Sequence, residues 1–141
     1  MVRGGESEIG GELTYESRTG AVLFAKSLDR VANFYSAVLG LVEANRDAER
    51  IVLESPGFQL VVHRIPGEWA ATVEIAVPPV RRATAPFKPV FFVPSIANVR
   101  VVAETHGGVM EPTDREWSFN GITVCDGLDP EGNVIQFRES P

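Results

Sequence analysis

One half of this chain repeats in the other, and that limits the fold more than any other feature. Val22 and Val90 stand 68 residues apart, and the same offset joins Phe24 to Phe92, Ser27 to Ser95, Val31 to Val99, Gly40 to Gly108 and Glu43 to Glu111. Farther on, Ser55-Pro56-Gly57 answers Asp129-Pro130-Glu131-Gly132, and the offset widens to 75 between Gly57 and Gly132 and between Val61 and Gln136. Identity is weak, but the order of elements is the same, which is the mark of an internal duplication.

In the first unit, Ala21–Ala25 predicts a short buried strand and Ser27 a helix cap. Val31, Phe34, Tyr35 and Val38 fall at i, i+3, i+4 and i+7, one apolar stripe of a helix that Gly40 ends in the left-handed conformation. Strands are predicted over Val42–Asn45, Arg50–Glu54 and Phe58–His63, with turns at Asp47-Ala48 and Ser55-Pro56-Gly57. The second unit predicts a strand at Val90–Val93, a cap at Ser95 and a stripe of Val99, Val102, Ala103 and His106. Gly107-Gly108 ends that helix, and strands follow at Val109–Glu111, Ile122–Cys125 and Asn133–Arg138. Between the units, Ile65–Phe87 carries Pro66, Pro78, Pro79 and Pro86 and reads as a linker, with Ala71–Val77 alternating like one extra strand. Residues 1–17, where glycine pairs alternate with Glu6, Glu8, Glu12 and Glu16, read as a flexible tail. An edge strand near Leu13–Tyr15, or a dimer-contacting arm, is the alternative there.

Each unit is thus βαβββ, and one helix covers only one face of its sheet. The expectation is an α+β fold: two βαβββ modules in tandem forming a half-open, cleft-containing curved sheet, with the concave side free for a ligand. The boundaries are module one at 20–64, linker at 65–87 and module two at 88–139, in a single domain over 18–141. Strand alternation turns Phe58, Leu60 and Val62 to the helix and Gln59, Val61 and His63 to the cleft. On the last strand it turns Ile135 and Phe137 inward and Val134, Gln136 and Arg138 to the cleft. For Gly20, Val22, Phe24 and their mates Lys88, Val90, Phe92 the direction stays open, because both faces of those strands are apolar.

The charge of −6, from 13 basic and 19 acidic residues, argues against non-specific binding to nucleic acid or to an anionic membrane. A single cysteine, Cys125, excludes an internal disulfide and a cysteine-rich zinc site. Its neighbour Asp126 would raise its pKa, which speaks against a nucleophile. No apolar run approaches the ~20 residues of a membrane span, and no signal-peptide core is present, so a cytoplasmic location is expected.

Val22 to Leu41, VLFAKSLDRVANFYSAVLGL, and Asp129 to Phe137, DPEGNVIQF, together with the duplication, resemble the vicinal oxygen chelate superfamily. That superfamily comprises glyoxalase I, the bleomycin-resistance proteins and the extradiol dioxygenases. The resemblance implies a glyoxalase/bleomycin-resistance-like domain over about residues 20–139. Its metalloenzymes hold a divalent ion with His, Glu or Gln at four positions, which fall here on Gly20, Val61, Lys88 and Gln136. Glycine and valine offer no donor, lysine is an ammonium, and one neutral amide does not hold a divalent ion against water. Metal: none, and cofactor: none, is therefore the expectation, with His63 as the one substitute ligand nearby.

The candidate ligand-binding residues are Lys88, Gln136, His63, Val61, Phe92 and Trp117, and catalytic residues stay unassigned. Lys88 either pairs an anionic group of a ligand or is a solvated charge. Gln136 either bonds a ligand or is an inherited polar residue. His63 either lines the cleft or is a surface strand histidine. Trp117 is placed in a loop that overhangs the cleft or packs plainly. Arg138 reads as solvated and His106 as a helix-end or packing histidine. The resemblance implies a metal-free small-molecule-binding protein, sequestering an antibiotic or metabolite, with a homodimer as the expected assembly. The alternatives are a lyase, isomerase or dioxygenase-like enzyme, in which Lys88 and His63 would replace the metal, or an accessory protein with a vestigial cleft.

Overall fold

The computed structural model describes residues 19–141, so the expected tail and the possible strand at Leu13–Tyr15 lie outside the described residues. Module one runs β1 (Thr19–Ala25), α1 (Leu28–Leu39), β2 (Val42–Arg46), β3 (Arg50–Ser55) and β4 (Phe58–Arg64). A one-turn helix α2 (Gly67–Ala70) opens the linker. Module two runs β5 (Val90–Val93), α3 (Ile96–Thr105), β6 (Val109–Met110), β7 (Trp117–Phe119), β8 (Ile122–Leu128) and β9 (Val134–Glu139).

The duplication holds at the level of topology. The first sheet has the order β1-β4-β3-β2 and the second β5-β9-β8-β6, with β7 paired to β8. In each, the opening strand runs parallel to the last and the others pair antiparallel. The module two hairpin β7–β8 departs from the expected loop at Trp117. Asn120 and Gly121 both take positive φ, 50° and 77°, the two-residue turn that an Asn-Gly pair favours. Trp117 is therefore a strand residue opposite Val124. The alternating stretch Ala71–Val77 forms no strand. Its backbone closes local turns instead, Thr72 N–H to the Trp69 carbonyl and Val73 N–H to Ala70.

Both helices and the inner faces of both sheets meet in one core. The α1 stripe is buried as expected: Val31, Phe34, Tyr35 and Val38 are each at most 9% exposed. Burying each such side chain is worth about 1.5–3 kcal/mol. α1 packs on β3 and β4 and meets α3, which packs on β6 and β9. Ile51, Leu53, Leu60 and Val62 come from the first sheet, Cys125, Ile135 and Phe137 from the second. Phe91 links the halves, with its ring 6.4 Å from Tyr35, 5.6 Å from Phe58 and 6.5 Å from Phe137. β1 is less enclosed than its composition suggests: it is a sheet edge, and of its seven residues only Ala25 is buried.

The two helices stop differently. Gly40 is left-handed at φ 68° with open space where a Cβ would sit. In the second module the left-handed residue is Gly107, at φ 85°. Gly108, the mate of Gly40 by offset, is there for room: a Cβ would fall 2.3 Å from the Phe34 ring and 2.7 Å from the Leu128 carbonyl.

Candidate functional site

With the helices in the core, the other face of each sheet points outward, and register shows which residues share it. On the first sheet Gly20 lies beside Gln59, Val22 beside Val61 and Phe24 beside His63. The expected orientation of β4 is borne out, since Leu60 and Val62 are buried and Gln59, Val61 and His63 only half-buried. The open direction of β1 is also resolved: Val22 (59% exposed) and Phe24 (51%) share the outer face. Phe24 rests 5.3 Å from the His63 ring. His63 Nδ1 is 2.8 Å from the Arg64 carbonyl oxygen, a local contact. The outer face of the first sheet is mostly apolar, edged by Gln59 donating to Glu54 at 2.6 Å.

The second sheet carries the polar chemistry. Lys88 Nζ donates to Asp126 Oδ2 at 2.8 Å, and Gln136 Nε2 donates to Asp126 Oδ1 at 3.1 Å. Arg138 Nε in turn donates to Gln136 Oε1 at 2.8 Å. The Arg138 guanidinium stands 6.0 Å from the Phe92 ring centre and 5.6 Å from that of Phe119, within cation–π range of both. Trp117 pairs with Val124 on the neighbouring strand, and Val124 with Arg138. Arg138 is thus not the solvated strand-end charge expected; it is half-buried at the centre of an aromatic patch. Phe92, Trp117 and Phe119 are 64%, 44% and 49% exposed.

Of the residues expected to form a site, the structure brings together Lys88, Gln136 and Phe92, and joins them through Asp126 and Arg138. Val61 and His63 lie on the other sheet. Asp126, Arg138 and Phe119 were not among the expected ligand contacts. The signal for them was present in the sequence: Asp126 and Arg138 alternate in phase with Val124 and Gln136, and Asn120-Gly121 marks the hairpin that carries Phe119.

The four positions of the implied metal site can be tested on this geometry. Gly20 and Val61 carry no donor atom, Lys88 is engaged as a cation with Asp126, and the one oxygen of Gln136 already accepts from Arg138. These residues do not fit a divalent ion. Among the described residues no group of three or more His, Cys, Asp or Glu side chains is placed to hold one. Cys125 sits in mid-strand, fully buried, not at a strand end. Burial above all pushes its thiol pKa up, partly countered by Arg100, with Asp126 the smallest contributor. His106 is an exposed helix-end residue whose Nδ1 is 2.9 Å from the Val102 carbonyl oxygen.

The motif Asp129-Pro130-Glu131-Gly132-Asn133 does structural work. Asp129, fully buried, accepts from Tyr35 Oη at 2.7 Å, from Asn133 Nδ2 at 2.8 Å and from the backbone N–H groups of Glu131 and Asn133. Burial first, then the Asp129 carboxylate, raises the Tyr35 pKa well above 10.0. Glu131 reaches into module one, accepting from Lys26 N–H at 2.8 and 3.0 Å and from Ser27 N–H at 2.7 Å.

No protein-family model matches this sequence, and no curated protein matches it. Solved structures do. A glyoxalase/bleomycin resistance protein/dioxygenase family enzyme from Burkholderia phytofirmans superposes with a TM-score of 0.68 at 16% identity, over 89% of this chain and all of the other. An integron cassette protein from the mobile metagenome of Vibrio cholerae gives 0.60 at 22% identity, over 92% and 98%. A glyoxalase-related enzyme from Fulvimarina pelagi gives 0.61 at 17% identity, over 90% of each. The likeness is one of fold, and the fold is the tandem βαβββ architecture that the resemblance implied. No helix among the described residues is long and apolar enough to cross a membrane.

Proposed function

We propose that this chain is a metal-independent small-molecule-binding protein of the glyoxalase/bleomycin-resistance type, acting in the cytoplasm as a homodimer. The observation that carries the reading is the Arg138 guanidinium between the Phe92 and Phe119 rings, anchored by Gln136 at the position a metal ligand would take. A guanidinium flanked by two rings in this way presents flat apolar surface beside fixed positive charge. Lys88 is neutralised by Asp126, whereas Gln136 brings no charge to Arg138, so the patch favours a planar guest with an anionic or acceptor group. A cationic guest, which the overall charge alone would favour, is opposed locally.

Exposed apolar surface is the physical support for a dimer. Phe24 and Val22 on one outer face, and Phe92 and Phe119 on the other, leave apolar surface on both sheets of a single chain. Covering one face with the other from a second copy buries both and encloses a guest between them.

The test is a calorimetric screen of planar aromatic compounds in anionic, neutral and cationic forms, run beside sedimentation analysis and metal analysis of the purified protein. The expected result is a dimer that prefers the anionic forms, with Arg138→Met weakening binding at least tenfold. Absence of any preference for the anionic forms, or close to one tightly held metal ion per chain, overturns the proposal.

A further inference from the structure

A second candidate site lies in the gap between the edge strands β1 and β5 that the end of the linker bridges, and it reaches the outer face of the first sheet at Val22. A cavity of about 270 Å³ opens there, walled by Leu23, Leu60, Pro86, Phe87 and Phe91. A second, more open chamber of about 510 Å³ adjoins it beneath Trp69 and Ile65, and the two share Val22, Leu23, Arg82 and Asn133. Among the described residues Arg82 is the one charged residue in the lining of either chamber.

Its state is unusual for a buried donor. Arg82 Nε is shielded from solvent and has no hydrogen-bond partner among the described residues. Arg82 as a whole is half-buried, and its Nε, closed off in the cavity wall, lacks the partner that nearly all buried polar groups in native proteins have, so an acceptor that draws the guanidinium toward the space would satisfy it. The acidic groups of the neighbouring loop are already committed: Asp129 to Tyr35 and Asn133, Glu131 to the start of α1. The arginine backbone is itself fixed, because Arg82 N–H donates to the Gly132 carbonyl at 3.2 Å. At Gly132 a Cβ would meet the Val80 carbonyl oxygen at 2.2 Å, so that close approach needs glycine.

We propose that this inter-module cavity binds a small apolar monocarboxylic acid, its carboxylate on the Arg82 fork and its hydrocarbon body against Leu60, Phe87 and Phe91. A carboxylate matches the guanidinium edge with two parallel N–H···O bonds, and the low polarity of the walls strengthens them. The cavity sits at the lower end of small-ligand pockets, about 300 Å³, which selects a single ring or a short chain. This site is separate from the Arg138 patch and does not depend on it.

The experiment titrates the wild-type protein with benzoate, phenylacetate and hexanoate, and with the corresponding neutral amides, by calorimetry and by amide chemical-shift mapping. The acids bind at least tenfold tighter than the amides, and the shifts centre on Leu23, Thr84 and Phe91. Arg82→Met loses that preference and Arg82→Lys keeps part of it. Unliganded melting curves check the fold of each variant, and the acid–amide comparison on wild type needs no variant. Equal binding of acid and amide, no saturation by any acid below about 1 mM (about −4.1 kcal/mol), full affinity in a folded Arg82→Met, or shifts centred on Phe92 and Phe119 overturns the assignment.

Discussion

In module one the first N–H groups of the helix region, on Lys26 and Ser27, point at the carboxylate of Glu131, a side chain of the other module, and the Ser27 hydroxyl caps nothing. In module two the same start is handled at home. The Ser95 hydroxyl accepts from Asn98 N–H at 3.1 Å, and Glu139, on that module's own last strand, accepts from Ile96 N–H at 2.6 Å. The same serine, at matching positions, does different work. The outer faces diverge in the same way: on the first sheet the polar residues stand at the strand ends, Glu54 beside Gln59 and Arg50 beside His63, and on the second a chain of Lys88, Asp126, Gln136 and Arg138 crosses the middle. A duplicated scaffold therefore keeps its strand order while the side chains that close helices and meet ligands are redistributed between the copies.

The glycine pair gives the sharpest break. Gly108→Asn must displace Phe34 or the Leu128 carbonyl and is expected to cost about 3 kcal/mol, as overpacking does. Gly40→Asn, left-handed and facing open space, should stay within about 0.5 kcal/mol. Urea midpoints of the two variants measure this directly, and equal losses would mean that both glycines serve the same purpose. Next comes the carboxylate at α1. Glu131→Ala leaves two N–H groups without their charged acceptor and should cost about 2 kcal/mol, whereas Glu139→Ala, with Ser95 still in place, should cost about half that. The serines follow. Ser95→Ala should lose about 1 kcal/mol and Ser27→Ala less than about 0.5 kcal/mol, both read from thermal melts.

The last comparison is alkaline. Each module buries one weak acid in the core, Tyr35 in the first and Cys125 in the second, and both pKa values are raised. The unfolded chain then loses these protons first, so stability is full at neutral pH. It falls as pH rises through the ordinary values of 9.0 for the thiol and 10.0 for the phenol, at no more than about 1.4 kcal/mol per pH unit for each group. Cys125→Ala should remove the earlier part of the decline and Tyr35→Phe the later part. A denaturant series between pH 8 and 11 separates them, and an unchanged slope in Tyr35→Phe would sever the phenol from the effect.

Much of the fold was legible because periodicity reports burial. The stripe Val31, Phe34, Tyr35, Val38 and the alternation of Phe58–His63 are each dictated by which face meets the core. What periodicity does not report is a pairing partner. Ala71–Val77 alternates as well as any strand, yet no free sheet edge takes it, and its N–H groups turn back on Trp69 and Ala70. Asn120-Gly121 announces a hairpin turn, yet the three residues Trp117–Phe119 are too few for alternation to mark a strand. The site was legible only in part for the same reason. Lys88 and Gln136 could be placed by the family resemblance, but their meeting at Asp126 depends on register across three strands. Nothing near Arg82 in the sequence distinguishes it from Arg81; the chain path over Gly132 does that.

The Glu131 reach from one half to the other makes the two halves unequal partners. A fragment ending before the linker would begin its helix with two N–H groups deprived of their carboxylate, whereas a fragment made of the second module would bring its own stopper, Glu139. Severing the tandem is therefore expected to harm the leading copy more than the trailing one.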